Sequence, residues 1–362
     1  MNKIAAVGIT KHGSALARRL GNALPGVDPF YPVKFSRGDE EEKGVTMFEG
    51  SVRKQVPVLF EQYDGIIMIV SIGAVVRLIS PHIKDKKTDP AVVVIDDKGE
   101  FVISVLSGHL GGANALTHQV AELLQATPVI TTASEAQQTI PVDILGRSFG
   151  WTLEDYDHVI PASAAVVNEE PLVIVQQSGE KDWWTYDRPL PSHMTVTSSL
   201  EEAADMGVNT ALVITHRTLS IEEKEKLPET QIIYRPKVIH LGIGCNRGTE
   251  AEEIEAVISE TLAKLKLSRL SVKQVSTIDL KKDEEGLLQV CEDNNWPFHY
   301  YPPEELNKAP LRNPSDVVYK YTGAYGVSEP AAILSSGNEN LLLEKEKSGN
   351  VTISVAIQEQ FE

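Results

Sequence analysis

A short glycine-rich segment contains the histidine that is best placed to do acid–base chemistry. Residues 107–114 read SGHLGGAN and directly follow an apolar stretch typical of a buried strand. His109 stands between glycines, so we do not expect its ring to be lost in the apolar stripe of a helix. Histidine ordinarily titrates near neutral pH, so this ring could take and return a proton. The alternative is a histidine that only hydrogen-bonds the turn; we favour the functional interpretation.

The residues around His109 could bind a ligand and stabilise a developing negative charge. Gly108, Gly111 and Gly112 would let a bulky or anionic ligand approach the backbone closely. The backbone N–H groups of Gly111 and Gly112 could then act as oxyanion donors. Asn114, at the start of the next predicted helix, could orient a water molecule or a carbonyl group. We therefore predict a catalytic turn over residues 107–114.

Positive charge is concentrated just before this region, although the chain as a whole is acidic. The formal net charge is −17, which argues against nucleic acid or an anionic membrane surface as the partner. Four basic side chains lie within eleven residues: Arg77, Lys84, Lys86 and Lys87. Most charge clusters are solvated surface, but this one lies between a predicted helix and a predicted strand. We predict that Arg77, Lys84 and Lys87 bind anionic groups of a substrate.

A second glycine-rich turn, GIGCNRG at residues 242–248, lies between a predicted strand and a predicted helix. It is one residue too long for the dinucleotide-binding pattern G-x-G-x-x-G, so a nucleotide cofactor is disfavoured. Gly244 and Arg247 could instead bind a carboxylate, with the guanidinium as a bidentate donor. The alternative, glycines that serve only the packing of helix on strand, stays open. We expect Cys245 to be a packed turn residue and not a nucleophile.

A third segment, YTGAYGVSEPAAIL at residues 321–334, admits two interpretations. Glu329 precedes a proline in what we predict to be the first turn of a helix, where the helix dipole alone favours an acidic residue. Alternatively, Tyr321, Tyr325 and Glu329 project into a cleft between domains and act on a ligand.

The order of strand and helix patterns predicts an α/β protein with more than one domain. Its 362 residues exceed the usual single core. We predict an N-terminal layered, Rossmann-like α/β domain with a mainly parallel sheet over residues 1–134, including strands at 91–95 and 101–106 joined by a hairpin. A middle α/β segment over 135–230 and a smaller α/β C-terminal domain over 236–362 follow. The polar helix predicted at 221–227 and the extended stretch 231–238 together form the best linker candidate. Whether the middle segment is an independent domain stays open.

Several other classes of protein are disfavoured by the sequence. Two cysteines exclude a disulfide framework, the N-terminus lacks a signal-peptide pattern, and the longest apolar run is too short to span a bilayer. We therefore predict a cytoplasmic protein with no membrane partner. The loop Gly8–Ala15 has the glycine spacing of a P-loop but lacks its lysine, which argues against an NTPase. We find no spacing typical of metal ligands and predict no bound metal.

Three segments, residues 71–114, 240–257 and 321–334, together resemble the cobalt-precorrin-5A hydrolase (CbiG) family of the anaerobic cobalamin pathway. The last two resemble the C-terminal domain of that family, which is similar to the small protein CobE of the aerobic route. Their order and spacing fit a full-length member. The resemblance thus implies a CobE-like fold for the C-terminal domain.

The resemblance also implies a substrate and a reaction. The substrate would be the corrinoid cobalt-precorrin-5A, a tetrapyrrole whose δ-lactone is opened with release of acetaldehyde. Cobalt would come with the substrate, so no cofactor is needed, and Arg77, Lys84, Lys87 and Arg247 would hold peripheral carboxylates. Other enzymes of the pathway are candidate partners. The alternative is a non-catalytic carrier of a corrinoid intermediate. The sequence leaves open the identity of the catalytic base, whether water or a side chain attacks first, the oligomeric state, and the role of the CobE-like domain.

Overall fold

The computed structural model describes residues 1, 3–85, 87–312 and 314–358. The chain divides into two compact units, Met1–Ile144 and Leu145–Glu362. Unit 1 contains one sheet and unit 2 contains two. In the described part of the chain, no helix has the length and apolar character needed to cross a membrane.

Unit 1 is built on a seven-stranded sheet with the order β3-β2-β1-β4-β5-β6-β7. The strands are β1 (Ile4–Gly8), β2 (Val27–Pro32), β3 (Thr46–Phe48), β4 (Gly65–Ile69), β5 (Ala91–Ile95), β6 (Phe101–Leu106) and β7 (Thr127–Val129). The helices are α1 (Lys11–Ala23), α2 (Val56–Gln62), α3 (Ile72–Ile79), α4 (Ala113–Leu124) and α5 (Ala133–Ala136). The order β3-β2-β1-β4-β5 is that of a Rossmann-like sheet, as predicted.

Unit 1 has three layers because alternate residues of its buried strands point to opposite faces. On one face, Ile4 and Ala6 of β1 pack in the same cluster as Leu20 of α1 and Leu116 of α4. On the other face, neighbouring strand residues pack with α2 and α3. The predicted layered α/β domain is confirmed.

One reversal of strand direction decides where the loops of unit 1 lie. β5 pairs antiparallel with β6 across the predicted hairpin, whereas every other pairing in this sheet is parallel. β6 and β7 therefore run opposite to β1–β5. Their carboxyl ends lie at the edge where β1, β4 and β5 begin. The loops after β6 and β7 consequently meet at one edge of the sheet, beside the loops that precede β1, β4 and β5.

The first part of unit 2 is a five-stranded sheet with the order β10-β9-β11-β12-β8. Its strands are β8 (Thr152–Leu153), β9 (Leu172–Gln176), β10 (Met194–Thr197), β11 (Thr210–Ile214) and β12 (Thr230–Arg235), and its helices are α6 (Val159–Val167), α7 (Leu200–Asp205) and α8 (Ile221–Lys226). The linker predicted at residues 231–238 is wrong for most of its length. β12 pairs with β11 on one side and β8 on the other, and Ile232–Arg235 are buried.

The second part of unit 2 is another five-stranded sheet, with the order β15-β14-β13-β17-β16. Its strands are β13 (Ile239–Cys245), β14 (Val272–Ile278), β15 (Phe298–Tyr301), β16 (Leu341–Ser348) and β17 (Val351–Ile357). Its helices are α9 (Ala251–Lys264), α10 (Glu285–Asp293), α11 (Pro303–Leu306), α12 (Asp316–Thr322) and α13 (Ser328–Ser336). β13, β14 and β15 are parallel, and the β16–β17 hairpin closes the sheet on the other side.

The first unit extends past the boundary predicted at residue 134. Residues 137–144 stay with it because this segment returns to the loop after β6, where Asp143 lies against His109. Along the chain, the first sheet of unit 2 ends with β12 at Arg235 and the second begins with β13 at Ile239. This is close to the boundary predicted between residues 230 and 236.

Candidate active site

The ring of His109 lies between a carboxylate and a hydroxyl group. Its Nδ1 is 3.1 Å from Oδ1 of Asp143, and its Nε2 is 2.9 Å from Oγ of Ser134. The side chain of His109 is 21% exposed and that of Asp143 is 16% exposed, whereas Ser134 is buried. A carboxylate, an imidazole and a hydroxyl in this order form the hydrogen-bond chain that activates a nucleophile in many hydrolases.

The βαβ unit formed by β6, α4 and β7 brings these side chains together. His109 lies in the loop after β6, Ser134 lies in α5 directly after β7, and Asp143 follows a few residues later. Because β6 and β7 are parallel neighbours, the loops that follow them lie side by side. The arrangement depends on the pairing of the strands and not on any local motif.

Asn114 ties the two loops together. Its Oδ1 accepts a hydrogen bond of 2.8 Å from Ser104 of β6, and its Nδ2 donates one of 2.9 Å to Oγ1 of Thr132. The residue is buried, and both ends of its amide are engaged within the protein. Its predicted role of orienting water or a carbonyl group stays a prediction. The observed contacts support a role in holding the His109 loop against the Ser134 segment.

The glycines of the turn allow close packing of the backbone. A Cβ atom on Gly111 would run into Ser107, and one on Gly108 would lie 2.8 Å from Oδ1 of Asn114. Gly112 has φ = 86°, and Ser107, which is not a glycine, has φ = 57°. A non-glycine residue in this region is uncommon and costs conformational energy, a feature that clusters at functional sites.

The two predicted oxyanion donors, the N–H groups of Gly111 and Gly112, differ in whether they already donate a hydrogen bond. The N–H of Gly112 donates to the carbonyl oxygen of His109 at 3.0 Å, so it is not directed at a substrate oxyanion. This is a correction of its predicted role, and its cause is the tight turn that glycine permits. The N–H of Gly111 has no acceptor among the residues that the structure describes.

The predicted cationic loop adjoins the histidine turn at the same edge of the sheet. Lys84 and Lys87 are exposed, and the backbone N–H of Lys84 donates to the buried carboxylate of Asp89 at 2.9 Å. Asp89 in turn accepts, on its carbonyl oxygen, a 3.0 Å hydrogen bond from Oγ of Ser107. Arg77, in the last turn of α3, is exposed and donates to the carbonyl oxygen of Gly73 at 3.0 Å. Lys86 lies outside the described residues. The binding roles stay predictions.

The second glycine-rich turn is occupied by side chains of its own unit. Arg247 contacts Asp283 at 2.9 Å and Glu284 at 3.2 Å, and the N–H of Gly248 donates to Glu284 at 2.6 Å. Gly244 lies in β13, where a Cβ atom would lie 2.6 Å from Oγ1 of Thr352. The turn does bind a carboxylate, but the carboxylate belongs to Glu284. These contacts favour the packing interpretation over a substrate role for Gly244 and Arg247.

The remaining predicted residues of unit 2 have ordinary structural surroundings. Cys245 is the last residue of β13 and not, as predicted, a residue of the turn; burial raises the pKa of its thiol to about 11, which agrees with the prediction that it is packed. Glu329 is buried in the first turn of α13 and accepts a 3.0 Å hydrogen bond from the backbone N–H of Lys345. Tyr325 is exposed and stacks on Tyr319, with ring centroids 4.4 Å apart. The predicted roles of Glu329 and Tyr325 toward a ligand stay predictions.

The sequence analysis did not identify Ser134 or Asp143. Ser134 had a usable signal, because it follows a predicted strand within the hydroxyl-rich segment TTAS at residues 131–134. Asp143 had none, since it lies in an irregular segment with no strand or helix of its own.

Comparison with known proteins places the chain in a family. Cobalamin synthesis G N-terminal, cobalamin biosynthesis central region and cobalamin synthesis G C-terminus models match residues 54–135, 140–236 and 239–356. The chain is 59% identical to the cobalt-precorrin-5A hydrolase of Priestia megaterium over 353 residues, which cover 98% of this chain and 94% of that protein. It is 32% identical to the cobalt-precorrin-5A hydrolase of Salmonella typhimurium, covering 96% of each chain.

The C-terminal part also matches a smaller protein. It is 33% identical over 119 residues to protein CobE of Sinorhizobium sp., a match that covers 32% of this chain and 77% of CobE. The predicted resemblance, including its CobE-like C-terminal domain, is thereby confirmed. Because the similarity extends over nearly the whole length of both hydrolases, the chain belongs to the cobalamin synthesis G (CbiG) family.

Proposed function

We propose that this chain hydrolyses cobalt-precorrin-5A by opening its ring-A δ-lactone and releasing the two-carbon unit as acetaldehyde, which leaves cobalt-precorrin-5B. Its curated relatives carry the name of this hydrolase. The observation that carries the proposal for this chain is the contact of His109 with Asp143 and Ser134 at a partly exposed glycine-rich turn.

The reaction makes two chemical demands. Opening the lactone is acyl transfer to water, which needs a base to activate the attacking oxygen and donors to stabilise the oxyanion. The ring-A acetate is then a free carboxylate, and the released oxygen is a secondary alcohol. Removal of the alcohol proton allows the carbon–carbon bond to break, with acetaldehyde as one product and the macrocycle as the electron acceptor. A single base that takes and returns protons can serve both steps.

His109 meets these demands. The carboxylate of Asp143 accepts from Nδ1–H, which leaves the lone pair of Nε2 directed away from Asp143, on the side of Oγ of Ser134. The partial exposure of the ring leaves a path for substrate. The N–H of Gly111 is the oxyanion donor that the turn offers, because that of Gly112 is already used.

The charges around this turn suit a polyanionic macrocycle. Lys84 and Lys87 are exposed on the neighbouring loop, and Arg77 is exposed on α3 of the same unit. We assign the peripheral carboxylates of the substrate to these three residues. Cobalt enters and leaves with the macrocycle, so the protein itself contributes no metal.

The test is to incubate the purified chain with cobalt-precorrin-5A and to measure acetaldehyde by its reduction with alcohol dehydrogenase and NADH. The corrinoid product is followed by mass spectrometry. The proposal expects equal amounts of acetaldehyde and cobalt-precorrin-5B. Binding of cobalt-precorrin-5A without release of acetaldehyde would identify a carrier and would contradict the proposal.

A further inference from the structure

We propose that Ser134 is the nucleophile that opens the lactone, so that the reaction passes through an ester between Oγ of Ser134 and the ring-A acetate. This inference rests on the proposed function. It answers a question that the sequence leaves open, namely whether water or a side chain attacks first.

The direction of the hydrogen-bond chain supports a nucleophilic role. With the Nδ1 proton held by Asp143, the neutral ring presents only an acceptor at Nε2, 2.9 Å from Oγ of Ser134. The serine hydroxyl must then donate to the imidazole. This is the polarity needed to remove a proton from an attacking hydroxyl, and it follows from the geometry of the three side chains.

The surroundings of Ser134 fix its position. It lies in α5 directly after β7, and its carbonyl oxygen accepts a 2.8 Å hydrogen bond from the backbone N–H of Thr139. The adjacent Thr132 is held by Asn114 at 2.9 Å. Ser134 is 6% exposed, whereas the ring of His109 is about a fifth exposed. A substrate carbonyl would approach beside the ring, and bulk water is largely kept from the hydroxyl.

The lactone opens through an acyl-enzyme. Oγ of Ser134 bonds to the lactone carbonyl carbon, and its proton passes to Nε2 of His109. The bond between that carbon and the ring oxygen of the lactone breaks, and the departing oxygen takes the proton from His109. An acyl-enzyme and a secondary alcohol result. A water molecule then gives a proton to His109 and bonds to the acyl carbon, and Oγ of Ser134 leaves with that proton.

The neutral imidazole that results is ready for the second reaction. It removes the proton of the secondary alcohol, the carbon–carbon bond breaks to give acetaldehyde, and the electron pair passes into the macrocycle. The proton on His109 then returns to the macrocycle carbon. In this scheme Ser134 acts only in the lactone opening, while His109 acts in both reactions. Asp143 is a positioning residue, because it acts through the ring of His109.

The first experiment uses a fluorophosphonate probe, which bonds to activated serine hydroxyls and needs no corrinoid. We expect peptide mapping of the wild-type protein to find the probe on Ser134, and the His109→Ala variant to lose most of the labelling. Circular dichroism and thermal unfolding establish that each variant is folded. Labelling of Ser134 that is equal in wild type and His109→Ala would overturn the activation proposed here.

The second experiment uses cobalt-precorrin-5A in a single turnover quenched with acid. Wild type should show a protein adduct equal in mass to the substrate, and Ser134→Ala should show no adduct and an acetaldehyde rate lower by about 10³-fold or more. Ser134→Cys provides a variant of similar size, in which a thioester should replace the ester. Ser80→Ala, an exposed serine of the same unit, serves as the matched control. Acetaldehyde release by Ser134→Ala within tenfold of wild type, without an adduct, would overturn the inference.

Asp143→Asn tests the positioning role. The asparagine amide would donate where the carboxylate accepted, which favours the other tautomer of His109. We expect kcat to fall by about 10²–10⁴-fold with little change in KM, together with a changed pH profile of kcat. An unchanged pH profile would overturn the role of Asp143. If wild type releases no acetaldehyde at all, the proposed function fails, and the fluorophosphonate experiment still reports on Ser134 separately.

Discussion

The turn after β6 and the turn after β13 share a local design: a buried strand, a short glycine-rich segment and the beginning of a helix. Each also has one group that could react, His109 in the first and Cys245, the last residue of β13, next to the second. In the first turn the ring is partly exposed and lies between Ser134 and Asp143. In the second the thiol is half-buried, and burial raises its pKa to about 11.

The two turns differ in what occupies their polar groups. In the second, Glu284 accepts from the N–H of Gly248 and lies within 3.2 Å of the Arg247 guanidinium. In the first, the N–H of Gly112 is used for the turn itself, and the N–H of Gly111 has no acceptor among the described residues. A glycine-rich turn after a strand therefore indicates close packing. Whether it can receive a ligand depends on what the rest of the fold places against it.

The largest effect that the comparison predicts is for His109→Ala. We expect acetaldehyde release from cobalt-precorrin-5A to fall by about 10³-fold or more, because both reactions lose their base. The temperature of unfolding should change little, since the ring is partly exposed. His118→Ala is the matched control, as His118 is an exposed histidine on α4, and it should keep wild-type rates. Turnover by His109→Ala within tenfold of wild type would remove the distinction between the two turns.

The next prediction is that Gly242→Ala lowers the stability of the protein but not its activity. A Cβ atom on Gly242 would run into the backbone of Ser328, so Gly242→Ala must push α13 away from β13. We expect a loss of about 3 kcal/mol in the free energy of unfolding, measured with urea. The molecules that remain folded should release acetaldehyde at the wild-type rate.

Gly111→Ala is the counterpart in the first turn. The added Cβ would meet Ser107 and displace the loop that carries His109. Here we expect a loss of about tenfold or more in kcat and a smaller loss of stability, because the loop is partly exposed and a displaced catalytic group reacts poorly. A larger loss of activity in Gly242→Ala than in Gly111→Ala would contradict the difference proposed between the two regions.

The architecture could be predicted from the sequence where local patterns carry the information. The strands at residues 91–95 and 101–106 and their hairpin are observed as predicted, because continuous apolar runs and a glycine turn are local features. The extended stretch 231–238 was predicted to be a linker, but most of it is the buried strand β12, which includes Arg235. That guanidinium is buried, and its Nε donates to Glu154 at 2.7 Å, a partner far away in the sequence.

Some residues of the candidate site could likewise be predicted from local sequence, and others could not. His109 could be found because its glycine neighbours are adjacent in the sequence. Ser134 and Asp143 become its neighbours only through the pairing of β6 with β7, which no spacing within one segment specifies. Arg247 looked available for a ligand because its partners, Asp283 and Glu284, also come from a distant segment.

A smaller effect is expected at Glu284, the carboxylate that accepts from the N–H of Gly248 in the second turn. Burial alone would raise its pKa, but hydrogen bonds from Lys281 and the N–H of Gly248 outweigh burial, and the pKa lies below its ordinary value. Below the ordinary pKa the unfolded chain binds a proton that the folded chain does not. The stabilisation by this carboxylate is therefore present at neutral pH and is lost as the pH falls through the folded pKa.

Glu284→Gln tests this directly. At pH 7 we expect the variant to be less stable than wild type by about 1–2 kcal/mol, since a charged acceptor is replaced by a neutral one. The difference should narrow as the pH is lowered below about 4, near the ordinary pKa of glutamate. Urea unfolding of both proteins between pH 7 and pH 3 measures it. If the difference in the free energy of unfolding grew as the pH fell, the predicted direction of the pH dependence would be wrong. A raised KM for cobalt-precorrin-5A at pH 7 would show that the second turn also takes part in binding.

The smallest effect is expected for Cys245→Ala. Cys245 is the reactive group near the second turn that corresponds to His109 in the first. Because burial raises the pKa of its thiol to about 11, very little thiolate exists at neutral pH. Cys245→Ala should therefore release acetaldehyde at the wild-type rate, and iodoacetamide should label Cys245 of the native protein slowly at pH 8. Cys291 is an internal reference, since burial raises its pKa to about 12. Rapid labelling of Cys245 at pH 8, blocked by cobalt-precorrin-5A, would mean that the second turn also takes part in binding substrate, and the distinction between the two turns would fail.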